Sequence, residues 1–213
     1  ASYGAFLKDN IPGVSVLFAQ GALAVGGLGI LLGALYAGKV SKGFIETGLI
    51  PVATIGLTLG LLLLPLALSK LTIVLLFLGY GFFGGMLIVP LNSLIQFNAG
   101  RRELGKILAA NNFVQNCLMI SFLIITVVFS MVGLNSVVIL YGLFCIALLG
   151  AIYALIALPQ SLVRYLLYFM VSKFYSLSVY QLNNLPSTGG VLLLGNHISF
   201  IDWAVLQIAC PRP

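Results

Sequence analysis

The sequence predicts an all-α membrane protein with about five transmembrane helices. Only ten Lys and Arg and four Asp and Glu occur among 213 residues, 61% of the residues are hydrophobic, and the mean hydropathy is +1.17. An average soluble domain, by comparison, is about 25% charged. Several apolar runs exceed the ~20 residues that a helix needs to cross a hydrocarbon core about 30 Å thick. None of them alternates strictly between apolar and polar residues, so we expect helices rather than barrel strands.

Short loops that hold most of the charge separate these apolar runs. We interpret each run as one transmembrane helix, at residues 12–38, 46–68, 71–98, 105–132 and 135–158. The five helices together make residues 1–158 one transmembrane domain.

The basic residues fall mainly on one side of the membrane if the helices alternate in direction. That side receives Lys39, Lys42, Arg101, Arg102, Lys106, Arg164 and Lys173. The opposite side receives Lys70 and Lys8. Loops rich in Lys and Arg remain in the cytoplasm, so everything after residue 158 is predicted to be cytoplasmic. Topology and contact with anionic headgroups account for the net charge of +6, and no nucleic acid partner is expected.

Pairs of glycines four residues apart occur inside the first three helices. They are Gly29 and Gly33, Gly56 and Gly60, and Gly81 and Gly85. Such spacing lets two helix backbones approach closely, so we expect tight packing there. The third helix also contains "GYGFFGG" and Pro90, which removes a backbone donor and favours a kink. An alternative is a transport site at Gly84 and Gly85, because transporters interrupt helices near the midplane.

The fourth helix carries side-chain amides that are costly to bury in lipid. Asn112, Gln115 and Asn116 share one face at spacing i, i+3, i+4. They are predicted either to hydrogen-bond other helices or to form a polar stripe in a translocation cavity that contacts a lipid headgroup. Glu46 and Glu103 lie at loop edges, so these helices give no support for a proton relay.

After the fifth helix the pattern becomes amphipathic. In "QSLVRYLLYFMVSKFYSLSVYQL", one helical face collects Ser161, Arg164, Tyr168, Ser172 and Ser176. Residues 159–185 are therefore predicted to be an interfacial helix and linker. The glycine-bounded run "VLLLG" predicts a buried strand, which would begin a separate α/β domain over residues 186–213.

The cysteines and the N-terminus do not indicate any further function. Cys117, Cys145 and Cys210 show no CxxC spacing, so no disulfide and no metal site are expected. The N-terminus "ASYGAFLKDN" has no initiator Met and no signal-peptide pattern. We therefore expect the chain to be a piece of a longer protein.

The loop after the first helix carries a family resemblance. "GALYAGKVSKGFIETG" resembles the Gly-rich basic loop of major facilitator superfamily transporters, although the usual acidic residue is missing. The resemblance implies that the five helices are the eighth to twelfth of twelve. Residues 1–158 would then form the C-terminal half of a major facilitator-type helix bundle.

The segment "GNHISFID" resembles the signature of glycerolipid acyltransferases, in Asn196, His197, Ser199 and Asp202. The resemblance implies that His197 is the general base on a lysolipid hydroxyl and that Asp202 orients and stabilises the imidazolium. Asn196 and Ser199 would contribute to substrate binding. This chemistry needs a base whose pKa is near the working pH and a carboxylate that fixes its tautomer. The acyl donor would be a thioester of acyl carrier protein or coenzyme A, with no other cofactor.

With both segments taken together, the chain resembles bacterial lysophospholipid transporters that are fused to a 2-acylglycerophosphoethanolamine acyltransferase. That implies a multi-pass protein of the bacterial inner membrane, which flips lysophospholipid and reacylates it in the cytoplasm. Membrane lipids and acyl carrier protein would be partners. The family's downstream Phe-Pro-Glu-Gly motif is not in this chain. Two alternatives stay open: an acyltransferase whose helices only anchor it, and a solute permease with a fortuitous His–Asp pair.

Overall fold

The computed structural model describes residues 15–41, 44–67, 69–100, 102–175, 177–181, 184–186, 189–196 and 198–209. The helices are α1 (Val16–Val40), α2 (Leu49–Leu63, continued by a 3₁₀ turn at Leu64–Leu66), α3 (Lys70–Asn98), α4 (Leu104–Met131), α5 (Ser136–Ala157), α6 (Pro159–Phe174) and α7 (Asp202–Ala209). Within the described residues, α1 to α5 are long and apolar enough to cross a membrane. The prediction of a helical fold with five helices able to span a membrane is thus confirmed for the described residues.

Polar side chains in the loops fix where three of the long helices begin. Ser15 Oγ accepts the N–H of Phe18 at 3.2 Å, and Ser69 Oγ accepts the N–H of Thr72 at 3.1 Å. Asn135 caps α5 by accepting the N–H of Val137 at 3.1 Å. Each cap satisfies a donor that the first turn of a helix leaves unpaired, so these helices start at residues that the hydrophobic pattern alone does not distinguish.

Helices α1 and α3 pack against each other through the predicted glycine pairs. Gly29 and Gly33 of α1 lie against the backbone of α3, and Gly81 and Gly85 of α3 lie against the backbone of α1. A Cβ added to any of these four would collide with a carbonyl oxygen of the opposite helix, those of Leu78, Phe82, Gly26 and Ile30 respectively. The packing interpretation therefore accounts for Gly85. An added Cβ at Gly84 would meet nothing within 4 Å.

Helix α2 lies between α3 and α5 and contacts both. Two groups of buried residues mark the two ends of this bundle. One consists of Ala37, Leu49, Ala53, Met86 and Tyr165; the other consists of Ala22, Leu64, Ala67, Ile73 and Leu140. The first group includes a residue of α6, so that helix is packed onto the bundle end where α1 finishes and α2 starts.

Helix α4 differs from its neighbours because it is poorly covered. Every α4 side chain that the structure describes is exposed or only partly buried. The helix has few contacts with α3 and α5. One whole side of α4 is thus left open by the described part of the chain.

The strand predicted at "VLLLG" is not formed. Residues 189–196 have no regular structure, and Leu192 and Leu194 are exposed. A strand needs a neighbour to pair with its backbone N–H and C=O groups, and the described residues include no strand. An apolar run alone does not supply that partner, which is why this prediction was wrong for the structure described.

Candidate functional site

The loop before α7 is organised by the carboxylate of Asp202. Asp202 Oδ2 accepts the backbone N–H of Ile198 at 2.7 Å and that of Ser199 at 2.8 Å. In return, the N–H of Asp202 donates to the carbonyl of Ser199 at 3.1 Å. A carboxylate in the first turn is also favoured by the positive end of the helix dipole. Asp202 therefore closes a tight turn and starts α7 at the same time.

The structure brings two of the four acyltransferase-signature residues into this turn. Ser199 lies within it, and its Oγ accepts the N–H of Ile201 at 3.5 Å. Asn196 lies just before the turn and is exposed. His197 lies outside the described residues. The turn begins one residue after His197, so Asp202 fixes the backbone that directly follows the predicted base.

Helix α7 rests on the start of α6. A cleft of about 290 Å³ between them is lined by Pro159, Gln160, Val163, Trp203 and Gln207. Ala204, on the same helix as Asp202, is buried. Because α6 follows α5 after a single residue, this contact holds the Asp202 turn close to the end of a membrane-spanning helix.

The three amides of α4 face away from the bundle. Asn112, Gln115 and Asn116 are exposed, and none makes a hydrogen bond within the described residues. They lie about 12 to 18 Å along the helix from Leu104 at ~1.5 Å per residue. That depth falls inside a membrane-spanning segment, where an unpaired amide is costly. The stripe therefore requires a polar surface, from water, lipid headgroup or another helix.

Sequence reasoning did not find the buried ion pair between Glu46 and Arg164. Glu46 is 2% exposed, and its Oε1 lies 3.0 Å from Arg164 Nη2. The same oxygen accepts the N–H of Gly48 at 3.1 Å, and the N–H of Glu46 donates to Ser41 Oγ at 3.4 Å. The guanidinium of Arg164 also stacks over the ring of Phe44, 4.7 Å from its centroid. Glu46, which the sequence placed at the edge of a loop, is thus buried and holds α6 against the bundle through Arg164.

Two further hydrogen bonds join α6 to the bundle beside this pair. The hydroxyls of Tyr36 and Tyr165 are 2.6 Å apart, and Thr47 Oγ1 donates to Ser161 Oγ at 2.8 Å. Burial and the Tyr36 hydrogen bond raise the pKa of Tyr165 above its ordinary value. Gly48 lies so close to α6 that an added Cβ would collide with the carbonyl of Ser161.

We call this set of contacts the α6 joint. It consists of Tyr36, Phe44, Glu46, Thr47 and Gly48 on the bundle and Ser161, Arg164 and Tyr165 on α6. Of the polar face predicted for an interfacial helix, Ser161 and Arg164 are directed into the protein, whereas Tyr168 is exposed. Apolar side chains of α6, including Leu166, Phe169 and Met170, are exposed instead.

No group of three or more His, Cys, Asp or Glu that could hold a metal ion occurs in the part of the chain that the structure describes. Comparisons with protein-family models, with curated proteins and with solved structures found no match to this chain.

Proposed function

We propose that this chain is part of a bacterial inner-membrane protein that flips lysophospholipid and reacylates it in the cytoplasm. Residues 1–158 would form half of a major facilitator-type transporter, and residues 186–213 would begin a glycerolipid acyltransferase domain. The observation that carries the proposal is the turn closed by Asp202. This turn gives a physical reason for the distance between the histidine and the aspartate in "GNHISFID". The aspartate must lie where its carboxylate can accept the N–H groups of the two residues that follow the histidine.

In the proposed reaction, His197 removes the proton from a free hydroxyl of the lysophospholipid. The hydroxyl oxygen attacks the thioester carbonyl of the acyl donor, forming the new ester bond as the carbon–sulfur bond breaks. The thiol of acyl carrier protein or coenzyme A leaves with the proton returned by His197. Asp202 stabilises the imidazolium that forms between these two steps. Asn196 and Ser199, beside the base, would bind the acceptor.

The outward-facing amides of α4 support the transport half of the proposal. Asn112, Gln115 and Asn116 offer both donors and acceptors on a helix surface that the described residues leave open. A phosphate accepts from such amides, and an ammonium group donates to them. Reacylation would then trap lipid delivered to the inner leaflet, and attachment of the enzyme to the transporter raises the local concentration of its substrate.

Acyl transfer by the intact protein tests the enzymatic half. Purified protein is given lysophosphatidylethanolamine and an acyl thioester, and diacyl product is measured. We expect His197→Ala to abolish product and Asp202→Asn to reduce it, with some activity left. Full activity in His197→Ala would exclude the proposed base.

Flipping in proteoliposomes tests the transport half. Labelled lysophosphatidylethanolamine should cross the bilayer faster with the protein than in empty liposomes. Acyl transfer without accelerated flipping would favour an acyltransferase whose helices serve only as a membrane anchor. Flipping without acyl transfer would favour a permease.

A further inference from the structure

Helix α6 is held on two sides by different parts of the molecule. On one side the α6 joint ties it to the ends of α1 and α2. On another side α7 contacts it, and Pro159, Gln160 and Val163 of α6 line the cleft between the two helices. Among the described residues, α6 is the one long helix between the membrane bundle and the Asp202 turn, and it contacts both of them.

The contacts of the α6 joint fix the position of α6 on the bundle. Arg164 lies between a carboxylate and an aromatic ring, and that carboxylate also accepts a backbone N–H. Gly48 allows the backbone just before α2 to approach the carbonyl of Ser161. A displacement of α6 would break a buried ion pair and leave a charge without its partner, which costs far more than loss of a surface pair.

The bundle side of the joint belongs to the segment linking α1 and α2. Phe44, Glu46, Thr47 and Gly48 lie between the end of α1 at Val40 and the start of α2 at Leu49. Tyr36 is in the last turns of α1. Any change in the relative positions of these two helix ends must act directly on α6.

We propose that α6 is a rigid arm that couples the α1–α2 end of the membrane bundle to the Asp202 turn. When that end of the bundle moves, α6 and α7 move with it as one body. This coupling is mechanical, so it goes beyond the proposed function and holds whether or not the lipid and the reaction are as proposed.

Distance measurements between spin labels test the arm in the intact protein, reconstituted in nanodiscs after its native cysteines are replaced. One pair of labels at Lys39→Cys and Leu206→Cys spans the arm, since both side chains are exposed on α1 and α7. A second pair at Lys39→Cys and Tyr153→Cys lies within the bundle, on α1 and α5. We expect a single narrow distance distribution for each pair.

Two variants break the joint by different means. Arg164→Gln removes the cation, and Gly48→Ala adds a methyl group that collides with α6. Matched controls are Lys173→Gln, which removes a cation of α6 that lies over Phe169, and Gly38→Ala, where an added Cβ meets nothing within 4 Å. We expect both joint variants to lose the narrow arm distance while the bundle distance and both controls stay unchanged.

Two results would overturn the proposal. An arm distance that stays narrow in both joint variants would mean that α7 is positioned by something other than the joint. A bundle distance that broadens together with the arm distance would mean that the joint holds the membrane helices together and does not couple a separate arm to them.

Discussion

Replacing Arg164 by Gln leaves the carboxylate of Glu46 buried without its cation. The exposed fractions of the two side chains are 14% for Arg164 and 3% for Glu46, so solvent screens this pair little. Removing one partner of such a pair costs about 3–5 kcal/mol. Since ~1.4 kcal/mol changes an equilibrium tenfold, undocking of α6 should become roughly 10² to 4 × 10³ times more favourable.

Amide hydrogen exchange of α6 measures this undocking directly, because exchange of protected amides reports local opening. We expect Arg164→Gln to reduce the protection factors of residues 162–171 by roughly 10² to 4 × 10³, or to the limit of their original protection. Amides in the middle of α3 should be unchanged. Lys173→Gln serves as the control, because Lys173 is exposed on the same helix and lies over Phe169.

The double variant Glu46→Gln, Arg164→Gln separates the ion pair from the packing around it. It leaves no unpaired charge, so it should lose less protection than Arg164→Gln alone. If the single variant keeps full protection, or if the double variant loses as much as the single one, a buried unpaired carboxylate is not what undocks α6.

Three further predictions follow from the packing, the joint and the α4 amides. Gly33→Ala should lower the free energy of unfolding by about 1–3 kcal/mol, because the added Cβ collides with the carbonyl of Phe82. Gly38→Ala should not lower it, since its added Cβ meets nothing within 4 Å. Equal melting temperatures of the two variants would contradict the close α1–α3 contact. The pKa of Tyr165 is raised, so docking of α6 favours the neutral hydroxyl. The contribution of Tyr165 to the free energy of docking is therefore complete below the ordinary tyrosine pKa of 10.0, and it declines as the pH rises above that value. The spin-label distance across the arm should therefore begin to broaden only above about pH 10. Tyr165→Phe should remove that pH dependence, and persistence of the dependence would assign it to another group. Replacing Asn112, Gln115 and Asn116 together by Ala should slow lysophospholipid flipping in correctly inserted protein, and an unchanged rate would leave these amides a structural role only.

The transmembrane helices were predictable because their signal is local. A run of about 20 apolar residues must form a helix in lipid whatever the rest of the chain does. The pairs Gly29–Gly33 and Gly81–Gly85 were equally predictable, because spacing alone places each pair on one helix face. Gly56 and Gly60 lie instead against the side chains of Phe83 and Tyr80. The helix ends were less so: the second run was predicted from residue 46, but α2 starts at Leu49 because Glu46, Thr47 and Gly48 belong to the joint.

Features that depend on distant partners could not be predicted. Glu46 and Arg164 are 118 residues apart, and nothing local to either one indicates the other. The polar residues of α6 were predicted to share one face, but the contacts of Ser161 and Arg164 depend on partners in the segment that links α1 and α2. The strand at "VLLLG" failed for the same reason, since pairing is a property of two segments. In the candidate catalytic segment, the turn closed by Asp202 was not predicted either, although Asp202 and Ser199 are only three residues apart.

Uptake of labelled lysophosphatidylethanolamine into proteoliposomes loaded with an acyl thioester tests most directly whether transport and acylation act in sequence. Wild-type protein should accumulate diacyl product continuously. His197→Ala should start at the same initial rate and then reach a plateau as unreacted lysolipid equilibrates, because the substitution removes the base and leaves the membrane helices unchanged. If the initial rate collapses in His197→Ala while the protein is folded and inserted, or if product still forms, the proposed sequence of flipping followed by His197-dependent acylation is wrong.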